Sequence, residues 1–198
     1  MLIDMHVHTS FSPCSLMRIP QVIAKARESG IDGICITDHD TTASEYEMRK
    51  IASNESLCII IGIEYTTFQG DFLVFGPTGN MPSDMDAETL LGWAKRSGGI
   101  CIPAHPFRRS RPADISILKS CHVIESLNGR NRRSENDTCR NWLKEYGNGT
   151  MEIGGSDAHT PNEIGHVVTV FKKNIYSVDD LVRELASGSF SPMERFSG

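Results

Sequence analysis

Short apolar runs alternate with longer amphipathic stretches along most of the chain. The apolar runs are typical of buried strands, whereas stretches with apolar residues at helical spacing are typical of surface helices. The strand-like runs are residues 2–6, 33–37, 57–63, 72–75, 100–104, 122–127, 151–155 and 167–171. The helical stretches lie near residues 19–29, 43–53, 86–97, 134–146 and 178–187. This alternation predicts an α/β fold with βαβ units around a mainly parallel sheet.

Length and composition bound the domain organisation. The 198 residues are enough for one substantial core and too few for two comfortable domains. We therefore expect a single domain over residues 1–198, with residues 190–198 as a flexible tail. No apolar run approaches the roughly 18 residues of a membrane span. The first residues lack the basic and apolar segments of a signal peptide, so we expect none.

The six cysteines form no C-x-x-C pair, so the sequence indicates neither a zinc finger nor a disulfide framework. Most of them lie in or beside apolar runs, and we expect these to be buried as small hydrophobic residues. They are Cys35, Cys58, Cys101 and Cys121. Such usage is typical of a reducing compartment and predicts a cytoplasmic location.

The formal net charge of −5 restricts the partners. A protein that binds extended nucleic acid normally carries a basic stripe, and this balance argues against one. It leaves room for a small phosphorylated substrate in a local basic pocket.

Two histidines end the first apolar run, in Asp4-Met-His-Val-His8. Side chains alternate between the faces of a strand, so His6 and His8 point to the same side and could reach one metal ion. An H-x-H pair alone is a weak signal, and a purely structural role fits it as well. Whether His6 and His8 bind a metal ion therefore depends on what ligands the rest of the chain supplies.

Other runs also end in histidines and carboxylates. These ends are Thr37-Asp-His-Asp40, Gly62-Ile-Glu64, Ala104-His-Pro-Phe107 and Gly155-Ser-Asp-Ala-His159, and Asp71 precedes the run at 72–75. Barrels place their chemistry at the carboxyl ends of several strands, which favours a barrel over an open sheet. Nitrogen and carboxylate donors suit zinc, manganese or iron, and so many donors predict two or three ions with a bridging carboxylate. A closed structural zinc site is the alternative, but such sites are normally rich in cysteine.

In this order, the motifs resemble those of the PHP family, named for DNA polymerases and histidinol phosphatase. The resemblance runs from residue 2 to about residue 171. It implies a distorted, TIM-like barrel of seven strands with surrounding helices. It also implies a metal-dependent phosphoesterase with two or three ions in the barrel mouth.

The resemblance further implies which residues hold the ions. One ion would lie near His6, His8, Glu64 and Asp157; Glu64 would bridge to a second ion shared with His105; a third position would draw on His39 and His159. Cys14 and Asp71 stand where the family often has other ligands. We expect Asp71 to be a ligand, whereas Cys14 could equally be a zinc-favouring ligand or a bystander.

Other polar residues are assigned supporting or substrate-binding roles. Asp38 would support its neighbour His39. Asp4 is in phase with His6 and would either fix an imidazole tautomer or make a structural hydrogen bond. Arginines recognise phosphate through paired N–H groups, and among those near strand ends we select Arg108 and Arg130. The remainder are interpreted as loop charges or structural histidines: Arg109, Arg132, Arg133, His122 and His166.

We therefore expect a phosphoesterase that uses metal-activated water on a small phosphoester, of the mononucleotide or sugar phosphate class. Three alternatives stay open: an exonuclease-like activity on nucleic acid ends, a histidinol phosphatase, and a non-catalytic metal-binding regulatory module. Relatives that act on histidinol phosphate are typically longer. A non-catalytic module would bind metal and turn over no phosphoester.

Overall fold

The computed structural model describes residues 1–51 and 57–195, which form ten strands, six α-helices and a short 3-10 helix at Pro161–Glu163. The strands are β1 (Leu2–Val7), β2 (Gly33–Ile36), β3 (Cys58–Ile61), β4 (Ile63–Thr67), β5 (Gly70–Phe75), β6 (Ile100–Pro103), β7 (Val123–Asn128), β8 (Met151–Gly155), β9 (Val167–Phe171) and β10 (Phe190–Glu194). The helices are α1 (Ile19–Glu28), α2 (Ser44–Ile51), α3 (Ala87–Arg96), α4 (Ile115–Leu118), α5 (Arg133–Tyr146) and α6 (Val178–Ser187). Each predicted strand or helix overlaps an observed element, and residues 52 and 53 of one predicted helix lie outside the described residues.

The strands pair into three sheets within the described part of the chain. The largest has the order β10-β9-β1-β2-β3, in which β1 pairs in parallel with β2 and β2 with β3. Strands β4, β5 and β6 form an antiparallel sheet, and β7 pairs in parallel with β8. Isolated parallel bridges, Val7 to Ala158 and His39 to Glu64, connect the sheets near the carboxyl ends of β1 and β2. The sheets therefore meet where the predicted site lies.

The predicted closed barrel of seven strands is not confirmed, because the described strands form three separate sheets. Two features break a strict strand–helix repeat. Gly62 alone separates β3 from β4, and β4 turns directly into β5 as an antiparallel hairpin. A β-carbon on Gly62 would lie 2.6 Å from the Phe75 ring, so this junction requires glycine. The fold is mixed α/β, as expected.

Apolar side chains on both sides of the sheets form the core. On β1, Ile3, Met5 and Val7 are completely buried, and so are the polar residues between them. Helix α1 buries the residues that share one helical face: Ile19, Val22, Ile23 and Ala26. A buried polar side chain needs hydrogen-bond partners inside the protein, so we expect the polar residues of β1 to form a network with other buried polar groups.

Most of the predicted buried cysteines are buried, although Cys58 is only half-buried. Burial raises the pKa of the Cys121 thiol to about 12 and that of Cys35 well above 9.0, which fits inert structural thiols. Within residues 1–51 and 57–195, no helix combines the length and apolar character needed to cross a membrane.

The carboxyl-terminal expectation needs correction. Residues 190–198 were predicted to be a flexible tail, but Phe190–Glu194 form β10 and pair with β9 along its whole length. The Phe190 ring also packs against Phe171, with centroids 5.4 Å apart. This edge strand was not predicted because its sequence, Phe-Ser-Pro-Met-Glu, lacks a continuous apolar pattern. Residues 196–198 lie outside the described residues, and the single domain over 1–198 stays a prediction.

Candidate metal centre

The histidines of β1 and the loop that follows it converge on two acidic residues. The His6 and His8 rings are completely buried, and their Nε2 atoms lie 3.0 Å apart. Glu64 Oε2, from β4, lies 3.1 Å from each of these two nitrogens. Asp157 Oδ1, just after β8, lies 3.6 Å from His6 Nε2 and 3.3 Å from His8 Nε2. Two carboxylate oxygens thus lie close to the same pair of imidazole nitrogens, and the residues involved come from all three sheets.

The spacing of these atoms fits a shared metal ion. Ligands that lie about 2.0–2.2 Å from one zinc ion, in neighbouring positions, are roughly 3 Å apart. His6, His8 and Asp157 form one group that could hold an ion. All the donors are nitrogen or carboxylate oxygen, the set that suits zinc, manganese or iron.

Further possible ligand groups overlap with the first. The other oxygen of Glu64, Oε1, lies 2.9 Å from His105 Nε2, so Glu64 could bridge two ions. His39 Nε2 lies 3.4 Å from Glu64 Oε2. Further groups that could hold an ion are His6 with Glu64 and His105, His8 with His39 and Glu64, and His8 with Cys14 and His159. Because the groups share members, they form a single cluster of candidate ligands.

The structure places Cys14 at the exposed edge of this cluster. Its Sγ lies 3.1 Å from His159 Nε2, while His159 Nδ1 lies 2.8 Å from the Asp157 carbonyl oxygen. Burial raises the pKa of the Cys14 thiol, so without an ion the sulfur is protonated at neutral pH.

The structure does not bring Asp71 into any of these ligand groups. Its Oδ2 instead accepts a hydrogen bond of 2.5 Å from Arg111 Nε. Its other oxygen, Oδ1, is buried and has no hydrogen-bond partner among the residues described. The carboxylate is therefore bound to an arginine that the sequence did not single out.

Residues behind the candidate ligands hold them in place. Glu125, in the middle of β7, lies with Oε1 3.0 Å from His6 Nδ1, and its Oε2 accepts a hydrogen bond of 2.7 Å from the His105 backbone N–H. Sequence reasoning missed this residue. The available signal was a carboxylate inside an apolar strand, where burial demands a partner.

Asp38 supports the cluster through a chain of hydrogen bonds. Its carboxylate accepts from the Thr9 N–H and hydroxyl, both at 2.7 Å, and from the Ser12 hydroxyl at 2.8 Å. Ser12 Oγ lies 3.2 Å from His8 Nδ1 and accepts a hydrogen bond from the His39 backbone N–H. Asp38 therefore acts on two candidate ligands, His8 and His39, through Ser12, and its side chain is completely buried.

Asp4 makes structural hydrogen bonds and does not contact an imidazole ring. It accepts from the Ser156 N–H and hydroxyl, the Gly165 N–H and the His6 backbone N–H. Of the two roles left open for Asp4, the second is the one that the structure bears out. The partner of the His6 ring is Glu125.

The backbone is unusual where the ligands leave the strands. His105 and Asp157 have positive φ angles of 31° and 54°. Such conformations cost about 1–3 kcal/mol for residues other than glycine and concentrate at functional sites. Gly155, two residues before Asp157, lies so close to β1 that an added β-carbon would be 2.5 Å from His6 Cβ. Close packing of β8 on β1 thus sets the positions of two candidate ligands, His6 on β1 and Asp157 after β8.

The electrostatics of the cluster favour bound positive charge. Burial opposes a charge on His6, but nearby carboxylates outweigh it, chiefly Asp157 and Glu64, and raise the pKa of His6 well above 6.5. Burial likewise opposes a charge on Glu64, yet His6 and the bonded histidines lower its pKa well below 4.5. Without an ion, a protonated imidazole supplies the positive charge that these buried carboxylates require.

The two selected arginines occupy different places. Arg108 Nη2 lies 2.6 Å from Asp157 Oδ2 and 2.8 Å from Asn128 Oδ1, beside the ligand cluster. Arg130 lies at the rim, where Nη1 is 3.2 Å from Glu163 Oε1. The remaining arginines and histidines from the sequence analysis belong to none of the ligand groups: Arg109, Arg132, Arg133, His122 and His166.

Comparison with known proteins gives consistent matches. A family model for the PHP domain matches residues 4–188. The uncharacterised protein MJ0417 of Methanocaldococcus jannaschii is 28% identical over 195 residues, which cover 91% of this chain and 75% of that protein. PsfC from Pseudomonas syringae PB-5123 is similar in structure, with a TM-score of 0.78, 17% identity, and coverage of 98% of this chain and 91% of PsfC. A protein from Bifidobacterium adolescentis, described provisionally as a metal-dependent phosphoesterase, has a TM-score of 0.67, 15% identity, and coverage of 94% and 96%.

Proposed function

The chain belongs to the PHP domain family, and we propose that it is a metal-dependent phosphoesterase that hydrolyses a small phosphoester. One observation carries the proposal. Glu64 Oε2 and Asp157 Oδ1 each lie within 3.6 Å of the Nε2 atoms of His6 and His8, and further ligand groups overlap with these residues. A structural relative described provisionally as a metal-dependent phosphoesterase is in line with this proposal.

We assign two or three divalent ions, zinc, manganese or iron, to the cluster. His6, His8 and Asp157 would hold the first, with Glu64 bridging to a second that His105 completes. A third would lie among His8, Cys14, His39 and His159. The thiolate of Cys14 makes this third position the softest, so it would favour zinc.

The chain's own residues would bind and orient the phosphoester. When bound, the ions would lower the pKa of a water molecule and polarise the phosphoryl oxygens. Arg108 is held by Asp157 and Asn128, so its guanidinium is fixed beside the reacting group and can bind a phosphoryl oxygen. Arg130 at the rim would bind more loosely. Asp38 orients His8 through Ser12 and donates nothing to the substrate.

A small substrate, such as a mononucleotide or a sugar phosphate, fits this chain better than a polymer. The net charge of −5 disfavours the long basic surface that nucleic acids need. An exonuclease-like activity would instead require oligonucleotide affinity that falls steeply with salt, which filter binding between low and high salt would reveal. A cytoplasmic location stays a prediction.

Elemental analysis of protein purified without chelator tests the proposal. We expect about two to three equivalents of zinc, manganese or iron, reduced in His6→Ala and Asp157→Ala but not in the exposed control His122→Ala. The loaded protein should then turn over mononucleotides or sugar phosphates. Less than about half an equivalent after reconstitution would overturn the catalytic proposal. Full loading without turnover of any phosphoester would indicate the non-catalytic module instead.

Cobalt substitution tests the third position separately. If Cys14 is a ligand, the cobalt-loaded protein shows a sulfur-to-metal charge-transfer band in the near ultraviolet, and Cys14→Ser abolishes this band. Cys121→Ser serves as the matched control, since that thiol is buried away from the cluster. A band that is absent, or that survives in Cys14→Ser, would leave Cys14 a bystander.

A further inference from the structure

Arg111 is an arginine that the sequence analysis did not single out, and the structure holds its head group at two of its nitrogens. Its Nε donates to Asp71 Oδ2 at 2.5 Å, and its Nη2 donates to the Thr67 carbonyl oxygen at 2.7 Å. A guanidinium carries five N–H groups. Two are used here, and the other three meet no acceptor among the residues that the structure describes.

The pairing register places this arginine next to the metal centre. On the β4–β5 hairpin, Asp71 pairs with Thr66, and Glu64 pairs with Leu73. Paired residues, and residues two apart, share one face of a sheet. Asp71 therefore lies on the face that carries Glu64, one step nearer the hairpin turn, and brings Arg111 to that position.

The two members of the ion pair between Asp71 and Arg111 differ strongly in solvent exposure. Asp71 is 3% exposed and the Arg111 side chain 42%, so the carboxylate is fixed inside while the guanidinium reaches solvent. Asp71 raises the pKa of Arg111, which keeps the guanidinium charged throughout the accessible pH range. The Asp71 Oδ1 atom has no partner among the described residues, so Arg111 is the only side chain of that part of the protein that hydrogen-bonds this carboxylate.

Arg111 opens into a groove beside the cluster. The groove has a volume of about 710 Å³, and its lining residues are Thr66, Thr67, Phe68, Asp84, Met85, Asp86, Thr89 and Arg111. Phe68 is 86% exposed at the hairpin turn and offers an apolar wall. Asp86 already caps α3 through the Thr89 N–H. The groove thus combines one fixed cation, two carboxylates, an apolar surface and hydroxyl groups, and Arg111 is the lining group that can bind an anion.

We propose that Arg111, positioned by Asp71, binds a second oxyanion, a carboxylate or a phosphate, on the non-reacting part of the substrate. The proposal rests on the proposed phosphoesterase function. The phosphoryl group that reacts would lie at the metal cluster beside Arg108, and the remainder of the substrate would extend along the groove toward Phe68. Asp71 is a positioning residue in this assignment rather than a metal ligand.

Matched substrates test the assignment in the metal-loaded protein. Phenyl phosphate has no second anion, 3- and 4-carboxyphenyl phosphate add a carboxylate, and the bisphosphate of 1,4-dihydroxybenzene adds a phosphate. We expect kcat/KM to be about tenfold or more higher with a second anion, mainly through KM, as suits a charge-assisted hydrogen bond. Arg111→Gln should abolish this ratio, and Arg111→Lys should restore part of it. The neighbouring exposed Arg109→Gln should leave it unchanged.

Equilibrium binding separates this inference from the proposed reaction. Phenylphosphonate and 4-carboxyphenylphosphonate are not hydrolysed, and their ratio of dissociation constants should depend on Arg111 in the same way. Absence of turnover with an Arg111-dependent binding ratio would refute the phosphoesterase and keep the anion site. Turnover without any dependence on Arg111 would refute the anion site alone.

Metal content decides the role of Asp71. Asp71→Asn should weaken the preference for a second anion and leave the metal content of the purified protein unchanged. His105→Ala, in contrast, should lower the metal content. Loss of an ion in Asp71→Asn would restore Asp71 as a ligand and overturn its assignment to Arg111. A different result would be that Arg111→Gln lowers stability and leaves the kcat/KM ratio between substrates with and without a second anion intact. That result would make the Asp71–Arg111 pair a structural link between the β4–β5 hairpin and the loop that carries Arg111.

Discussion

Glu125 is a single residue on which two proposed ligands depend. It lies against His6 Nδ1 and accepts the His105 backbone N–H, so it fixes the ring of one ligand and the backbone of another. Partners of this kind typically contribute 10–100-fold to metal affinity. We expect Glu125→Gln to weaken zinc or manganese binding by about that factor, measured by titration against a competing chelator. Glu152→Gln, on the neighbouring strand β8, is the control, and equal affinities in both variants would contradict the prediction.

The raised pKa of His6 predicts how metal binding responds to pH. Its raised pKa means that the metal-free protein carries a proton on this imidazole at pH 7, while a metal ligand must be neutral. Binding therefore displaces the proton, and the apparent affinity rises with pH until the raised pKa is passed. We expect release of about one proton or more per protein at pH 7, measured by calorimetry in buffers of different ionisation enthalpy. Enthalpies that do not depend on the buffer would show that His6 is neutral beforehand.

The sequence predicts the candidate ligands that the structure brings together better than the residues that support them. His6, His8, His105 and Asp157 are predicted because they end or follow apolar runs, where parallel strands bring their ends together. Glu125 lies inside a strand, and Arg111 is one of several arginines in a loop, so neither position has a spacing that marks it. Their partners depend on which strands become neighbours, which one sequence does not specify.

The same limit holds for whole elements. The parallel strands β1, β2, β7 and β8 were predicted because buried strands read as continuous apolar runs. Strand β4 contains Glu64 and two threonines and was merged with β3 across Gly62. Strand β10 contains Pro192, which edge strands tolerate because they need not donate every hydrogen bond. Local pattern thus predicts buried strands, whereas edge strands depend on a neighbour.

The contact between β8 and β1 should be intolerant of added volume. An alanine β-carbon at Gly155 would lie 2.5 Å from His6 Cβ and 2.8 Å from the His6 backbone nitrogen. We expect Gly155→Ala to lower the free energy of unfolding by about 1–3 kcal/mol, as overpacking does, and to lower the metal content as His6 moves. Gly79→Ala is the control, since nothing lies within 4 Å of its added carbon. Urea unfolding and elemental analysis measure both effects, and a fully loaded Gly155→Ala protein would contradict the argument.

At the scale of the whole molecule, a buried network joins sheets that do not close into a ring. Asp4 on β1 accepts hydrogen bonds from Ser156, which follows β8, and from Gly165, which precedes β9. The carboxylate therefore connects the largest sheet to the segment that carries Asp157. Complete burial makes the negative charge of Asp4 unfavourable, so the free energy of unfolding of the whole protein should depend on whether Asp4 is charged.

Asp4 thus predicts a pH dependence of stability with a definite sign. Burial raises its pKa from 3.8 to about 6, with the bonds from Ser156 and Gly165 opposing the rise. The folded protein therefore holds this proton more tightly than the unfolded chain. The contribution to stability is complete below pH 3.8 and is lost as pH rises through about 6. At about 1.4 kcal/mol per pH unit, the loss is about 3 kcal/mol.

Comparison with Asp4→Asn isolates this contribution from every other titrating group. Asparagine stays neutral, so the variant has no charge to bury as pH rises. We expect the free energy of unfolding of the variant, relative to the unaltered protein, to improve by about 2 kcal/mol between pH 4 and pH 8, because part of the full difference is already lost at pH 4. Urea unfolding in the presence of chelator measures it without interference from metal binding. A difference that stays constant across this range would mean that the hydrogen bonds from Ser156 and Gly165 fully offset the cost of burying the charge.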